Sequence, residues 1–116
     1  MPEANVSMTV RKPSSAVSVI DIDGQVTGFA EKVLAEAYDE AIAGGANFVL
    51  LNFTNLEWMN SSGIGLLVTM LIRAQRNNSR LAAFGLSAHY RQIFELTRLD
   101  DAIAIFETEA DAMEAV

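Results

Sequence analysis

Two adjacent hydroxyls, Ser61 and Ser62, stand in the run Asn60-Ser61-Ser62-Gly63-Ile64-Gly65-Leu66-Leu67, where a polar segment gives way to an apolar helical pattern. Serine at such a boundary has two chemical uses. Its oxygen can accept one of the unpaired N–H groups of a first helical turn, a role for which Asn60 and Ser61 are equally suited. The same unpaired donors, with the positive end of the helix dipole, attract anions, so a serine there can also carry a phosphate. Spacing alone leaves both uses open.

Other chemistry is thin. A nucleophile elbow needs a glycine two positions before its serine, and neither serine has one. The single histidine, His89, lies beside Tyr90 and Arg91 at the start of a helical pattern, where a solvated or capping role is the ordinary one. Gly63 and Gly65 are not followed by the third glycine of a dinucleotide fingerprint, and no Gly-Lys-Ser/Thr triplet occurs. Asp100-Asp101 reads as a solvated helix end. The absence of cysteine removes disulfides and thiolate metal sites. Neither catalysis nor a cofactor nor a metal is therefore expected.

Composition narrows the partners. A net charge of −7 disfavours DNA or RNA, whose binding requires a basic stripe to displace counterions. The longest apolar run, Ile64 to Ile72, falls well short of the roughly 20 residues that span a bilayer. With no signal-peptide pattern at the amino terminus, the expected location is cytoplasmic. At 116 residues, 51% of them hydrophobic, the chain has the size and composition of one soluble domain, 1–116, with a real core.

The elements that must position the serines follow from periodicity. Val6 to Val10 predicts a short strand, Arg11 to Ser15 a turn, and Ala16 to Ile22 a returning strand ended by Asp23-Gly24-Gln25. From Gly28 onward, Phe29, Val33, Leu34, Ala37, Tyr38, Ala41 and Ile42 recur at helical spacing until Gly44-Gly45. Phe48 to Phe53 is a continuous apolar run fit for a central strand, and Thr54 to Asn60 reads as a loop. Trp58 and Met59 suit either interface anchors or a packed loop.

In the second helix, Ile64, Leu67, Val68, Leu71 and Ile72 form the expected core stripe, ending near Gln75. Beside it stand Gly63, Leu66 and Met70, with Thr69 and Arg73 at the margin, which fit either more core or an interface. Gly63 and Gly65 would let a partner approach closely. Leu81 to Phe84 predicts a strand, Ala88 to Leu96 a helix, Ile103 to Phe106 a strand and Glu109 to Val116 a terminal helix. Alternating strands and helices imply an α/β fold: a central mixed sheet of four to five strands and about four helices, mostly on one face.

The order of elements, Asn60-Ser61-Ser62-Gly63-Ile64-Gly65, and the stretch Ile93-Phe94-Glu95-Leu96-Thr97-Arg98-Leu99-Asp100 resemble the anti-sigma factor antagonists, whose fold is the STAS domain. The resemblance covers almost the whole chain. The family's signature is Asp-Ser-Ser-Gly-Leu-Gly, and its second marker is Leu-x-x-Thr-Gly-Leu-Asp before a short strand and an alanine-containing helix, here Glu109-Ala110-Asp111-Ala112. The resemblance implies no catalytic activity. It implies that a kinase-type anti-sigma factor binds the chain and phosphorylates Ser62, releasing itself, and that a serine phosphatase restores the active form.

On this reading the partner contacts are Thr27, Asn60, Ser61, Gly63, Leu66, Met70 and Arg73, and the chain is a monomer or weak dimer. The signature's leading Asp is Asn60 here, and a second family acid corresponds to Thr27. Both replacements are neutral, which removes two charges a partner would contact and lowers repulsion toward phosphate on Ser62. An alternative implied by the same resemblance is an unphosphorylated scaffold, or an accessory subunit of a stress-signalling complex or lipid transporter.

Overall fold

Every strand after the opening hairpin is followed by a helix. The computed structural model describes residues 5–116. Its elements are β1 (Val6–Arg11), β2 (Val17–Val26), a 3₁₀ turn (Gly28–Ala30), α1 (Glu31–Ile42), β3 (Phe48–Met59), α2 (Ser61–Arg76), β4 (Arg80–Phe84), α3 (Ala88–Leu96), a second 3₁₀ turn (Leu99–Asp101), β5 (Ile103–Phe106) and α4 (Glu109–Glu114). The strands lie in the sheet in chain order, β1-β2-β3-β4-β5. β1 pairs antiparallel with β2, and all later neighbours are parallel.

That order explains where the helices go. Three successive right-handed crossovers, each stepping one strand in the same direction, place their helices on the same face of the sheet. α1, α2 and α3 therefore share one core, in which Leu34, Tyr38, Leu67, Met70 and Phe94 pack on Ile20, Ile22, Val49, Leu51, Phe53 and Ile103. α4 follows the last strand, has no crossover to close, and covers part of the other face. Its Ala112 and Met113 pack with Val17, Val19, Phe48, Leu50, Ala82 and Phe84. The expected mixed sheet with helices mostly on one face is the one observed.

α4 is also held by charge. The Arg11 guanidinium donates to Asp21 at 2.6 and 2.9 Å and to Glu109, in the first turn of α4, at 2.7 and 3.2 Å. The Asp21 carboxyl is held below the usual carboxylate range, chiefly by Arg11; partial burial opposes this, and the Asn52 amide 2.8 Å away adds to it.

Two strands differ from expectation. β2 continues to Val26 and β3 to Met59, pairing Asp23 with Asn55, Gly24 with Leu56, Gln25 with Trp58 and Val26 with Met59, so 54–59 is strand rather than loop. Register shifts fall between Asp21 and Asp23 and again between Gly24 and Gln25. Each inserts an extra residue on β3, so its inward apolar positions, Phe53, Leu56 and Met59, come at intervals of three. The period-2 signal of a strand is lost there.

Candidate functional site

β2 and β3 end side by side, and both helix starts that follow them are capped. Thr27 Oγ1 accepts from the Phe29 N–H at 3.2 Å, closing the 3₁₀ turn that leads into α1. Asn60, extended at φ −98°, accepts from the Gly63 N–H through its side-chain oxygen at 2.9 Å and from the Ile64 N–H through its carbonyl at 3.0 Å. The Asn60 N–H in turn donates to the Val26 carbonyl at 3.2 Å. Asn60 therefore sets where α2 begins and ties that start to β2.

With the cap position filled by Asn60, Ser61 and Ser62 become the first two residues of α2, and both are exposed. The field they meet is that of the helix terminus, since Thr27, Asn60, Ser61 and Ser62 carry no ionisable group. Gly63 has the opposite role to the one expected of it. It is buried, and a Cβ built on it would lie 2.1 Å from the Val26 carbonyl oxygen and 2.8 Å from its carbon. Its missing side chain admits the end of β2, not a partner. Gly65 is exposed, with open space where a Cβ would stand.

Asn60→Ala is expected to lower stability by about 1 kcal/mol, the ordinary value of a helix N-cap, read as a shift in the urea midpoint at unchanged slope. An unchanged midpoint would mean that α2 starts without it.

Residues 7–112 match the model of the STAS domain family. The chain belongs to the STAS domain family. An anti-sigma-B factor antagonist of Listeria monocytogenes is 24% identical over 107 residues, covering 92% of this chain and 94% of that one. Among solved structures, an anti-sigma factor antagonist from Mycobacterium paratuberculosis superposes with a TM-score of 0.81 at 20% identity, covering 99% of this chain and 98% of the other. SpoIIAA of Bacillus in its phosphorylated form does so with 0.72 at 22%, covering 94% and 98%. Both structural likenesses are of the fold.

In this STAS domain the signature helix is rotated relative to the expected stripe. Its buried positions are Gly63, Leu67, Met70 and Ala74, an i, i+4, i+7, i+11 series. Met70, at 3% exposure, is core and not partner surface. Val68 and Ile72, expected inside, are 39% and 44% exposed. With Ser61 and Gly65 they form an outward ridge of the same i, i+4, i+7, i+11 spacing. Phe29, expected as the first core position of α1, is 61% exposed, beside Gly28 at the same end of the sheet.

Leu66 and Arg73 line the seam between α1 and α2. There a cavity of about 60 Å³ is bounded by Glu31, Leu34, Ala35, Tyr38, Leu66, Thr69, Met70 and Arg73. That volume holds a few waters; small-molecule sites run to about 300 Å³ or more. Arg73 is occupied within the chain: it donates to Asp39 at 2.6 Å and its guanidinium lies 4.7 Å from the centre of the Tyr38 ring. Met59 is buried, and its N–H donates to the Tyr90 hydroxyl at 2.8 Å, joining α3 to the end of β3. Trp58 stays exposed.

The structure thus brings Thr27, Asn60, Ser61 and Ser62 to one end of the sheet. It puts Leu66 and Arg73 along the adjoining helix seam and Gly63 and Met70 inside. Among the described residues no helix is long and apolar enough to cross a membrane.

Proposed function

We propose that this STAS domain is an anti-sigma factor antagonist, which binds a kinase-type anti-sigma factor at the start of α2 and is released from it when that kinase phosphorylates Ser62. The observation that carries the reading is the exposed Ser62 hydroxyl at the head of a helix already capped by Asn60. A phosphate there adds about −1.5 to −2 charge at the positive end of a helix dipole, which favours it, so the modification acts on the partner and not on the fold. The names of the curated relatives support the assignment, as does the existence of a phosphorylated form of SpoIIAA. A serine phosphatase returns the chain to its binding form.

The docking surface on this reading is the outward ridge of α2, Ser61, Gly65, Val68 and Ile72. An exposed apolar ridge with polar groups beside it has the composition of an interface centre. Incubating the chain with the anti-sigma kinase and ATP and mapping the phosphate by mass spectrometry tests the switch; phosphate on another residue, or none, overturns it. Val68→Glu is expected to weaken kinase binding about tenfold or more while moving the thermal midpoint by no more than a few degrees, because Val68 is on the surface. Unchanged affinity would place the interface elsewhere.

The neutral residues at positions 27 and 60 favour a second reading, an unphosphorylated scaffold or transporter subunit. Affinity capture that recovers a transporter ATPase and no kinase decides for it.

A further inference from the structure

A glycine with no backbone need to be one stands against the Ser62 side chain. Gly28 is exposed and is not among the positive-φ glycines, which are Gly24, Gly44, Gly45 and Gly85. It lies in the turn that Thr27 caps, where glycine is a poor choice for rigidity. What distinguishes the position is its neighbour. A Cβ built on Gly28 would meet only Ser62, at 3.4 Å from its Cβ and 3.9 Å from its Oγ.

We infer that Gly28 is the access residue for Ser62: its missing side chain holds open the approach along which a phosphoryl donor reaches the hydroxyl. Alanine fits at ordinary contact distance. A branched side chain carries atoms about 1.5 Å beyond Cβ, the length of one further C–C bond, and those atoms crowd the space over Oγ. Phosphoryl transfer needs the attacking oxygen in line with the leaving group, and the leaving group lies on a bulky nucleotide held by the kinase. An ångström of misplacement at the acceptor can cost on the order of 10²-fold in rate.

The inference rests on the phosphorylation reading for its biological meaning, but its geometry can be tested without the kinase. The chain has no cysteine, so Ser62→Cys introduces a single thiol at the same site. The rate of its alkylation by iodoacetamide is expected to fall about tenfold when Gly28→Val is added, and by no more than about twofold with Gly28→Ala. The pH dependence of each rate separates access from a changed thiol pKa. Ser61→Cys should react equally fast with and without Gly28→Val. Equal Ser62→Cys rates in the two backgrounds overturn the inference, as does parallel slowing of Ser61→Cys, which would report a general distortion.

With the kinase and ATP, Gly28→Val should lower the rate of phosphate incorporation at Ser62 by a similar factor, with Gly28→Ala near the parent. If the parent chain is phosphorylated on Ser62 and Gly28→Val is phosphorylated as fast, the access role fails and the function stands. If the thiol is shielded but the parent is never phosphorylated, the function fails and the access role stands.

Discussion

Gly63→Ala is expected to destabilise the domain by about 3 kcal/mol or more, a drop of roughly 10 °C or more in thermal midpoint for a chain of this size. The new Cβ would stand 2.1 Å from the Val26 carbonyl oxygen and 3.0 Å from Val26 Cγ1. Neither helix nor strand can yield cheaply. Moving α2 away strains the hydrogen bond from the Asn60 N–H to the Val26 carbonyl, and rotating it spoils the cap made by Asn60 on the Gly63 N–H. Each of those is worth about 1 kcal/mol, and overpacking adds some 1–3 kcal/mol.

Gly65 provides the opposite sign. Two residues further along the same helix, it has nothing within 4 Å of an added Cβ. Gly65→Ala should therefore raise stability by up to about 1 kcal/mol, the ordinary helix-propensity difference. Denaturant melts of the two variants check the pair. A neutral or stabilising Gly63→Ala would mean that α2 is not seated on β2 in this way.

The contrast between these glycines shows what could be read in the chain and what could not. The Ser61-Ser62 boundary, the central run Phe48 to Phe53 and the Gly44-Gly45 stop each carry their cause locally, in capping chemistry, continuous apolarity and tolerance of positive φ. The three crossovers then follow from the alternation of elements. The phase of α2 does not. Both Ile64-Leu67-Val68-Leu71-Ile72 and Gly63-Leu67-Met70-Ala74 satisfy helical spacing, and the larger side chains favoured the first. The observed choice is made by tertiary contact: only a glycine tolerates the approach to Val26, so Gly63 faces inward and Val68 and Ile72 turn outward. The extension of β3 was hidden for a related reason, since bulges opposite β2 change the interval between its inward residues. Thr27 and Asn60 share a cap geometry at adjacent strand ends, yet 33 positions separate them in sequence. The access role of Gly28 depends on the same adjacency.

On the function proposed above, Ser62→Asp is expected to abolish binding to the anti-sigma kinase while leaving the fold intact, and the two measurements pull apart a structural and a regulatory use of the serine. An acidic residue in the first turn of a helix is favoured by about 0.3–1 kcal/mol, so the thermal midpoint should stay or rise slightly. At the proposed interface the same carboxylate would lose water against a surface that accepts a neutral hydroxyl. An unpaired charge buried there costs several kcal/mol, and about 3 kcal/mol already lowers affinity on the order of 10²-fold. Ser62→Ala should keep binding, since it removes only a hydroxyl, and should no longer accept phosphate. Titration calorimetry of the three forms against the kinase, alongside their thermal melts, reads both effects. If Ser62→Asp binds as tightly as the parent, a charge at this position is not the switch. If Ser62→Ala instead loses about 1 kcal/mol of stability, the hydroxyl serves the helix start and Asn60 does not suffice as its cap.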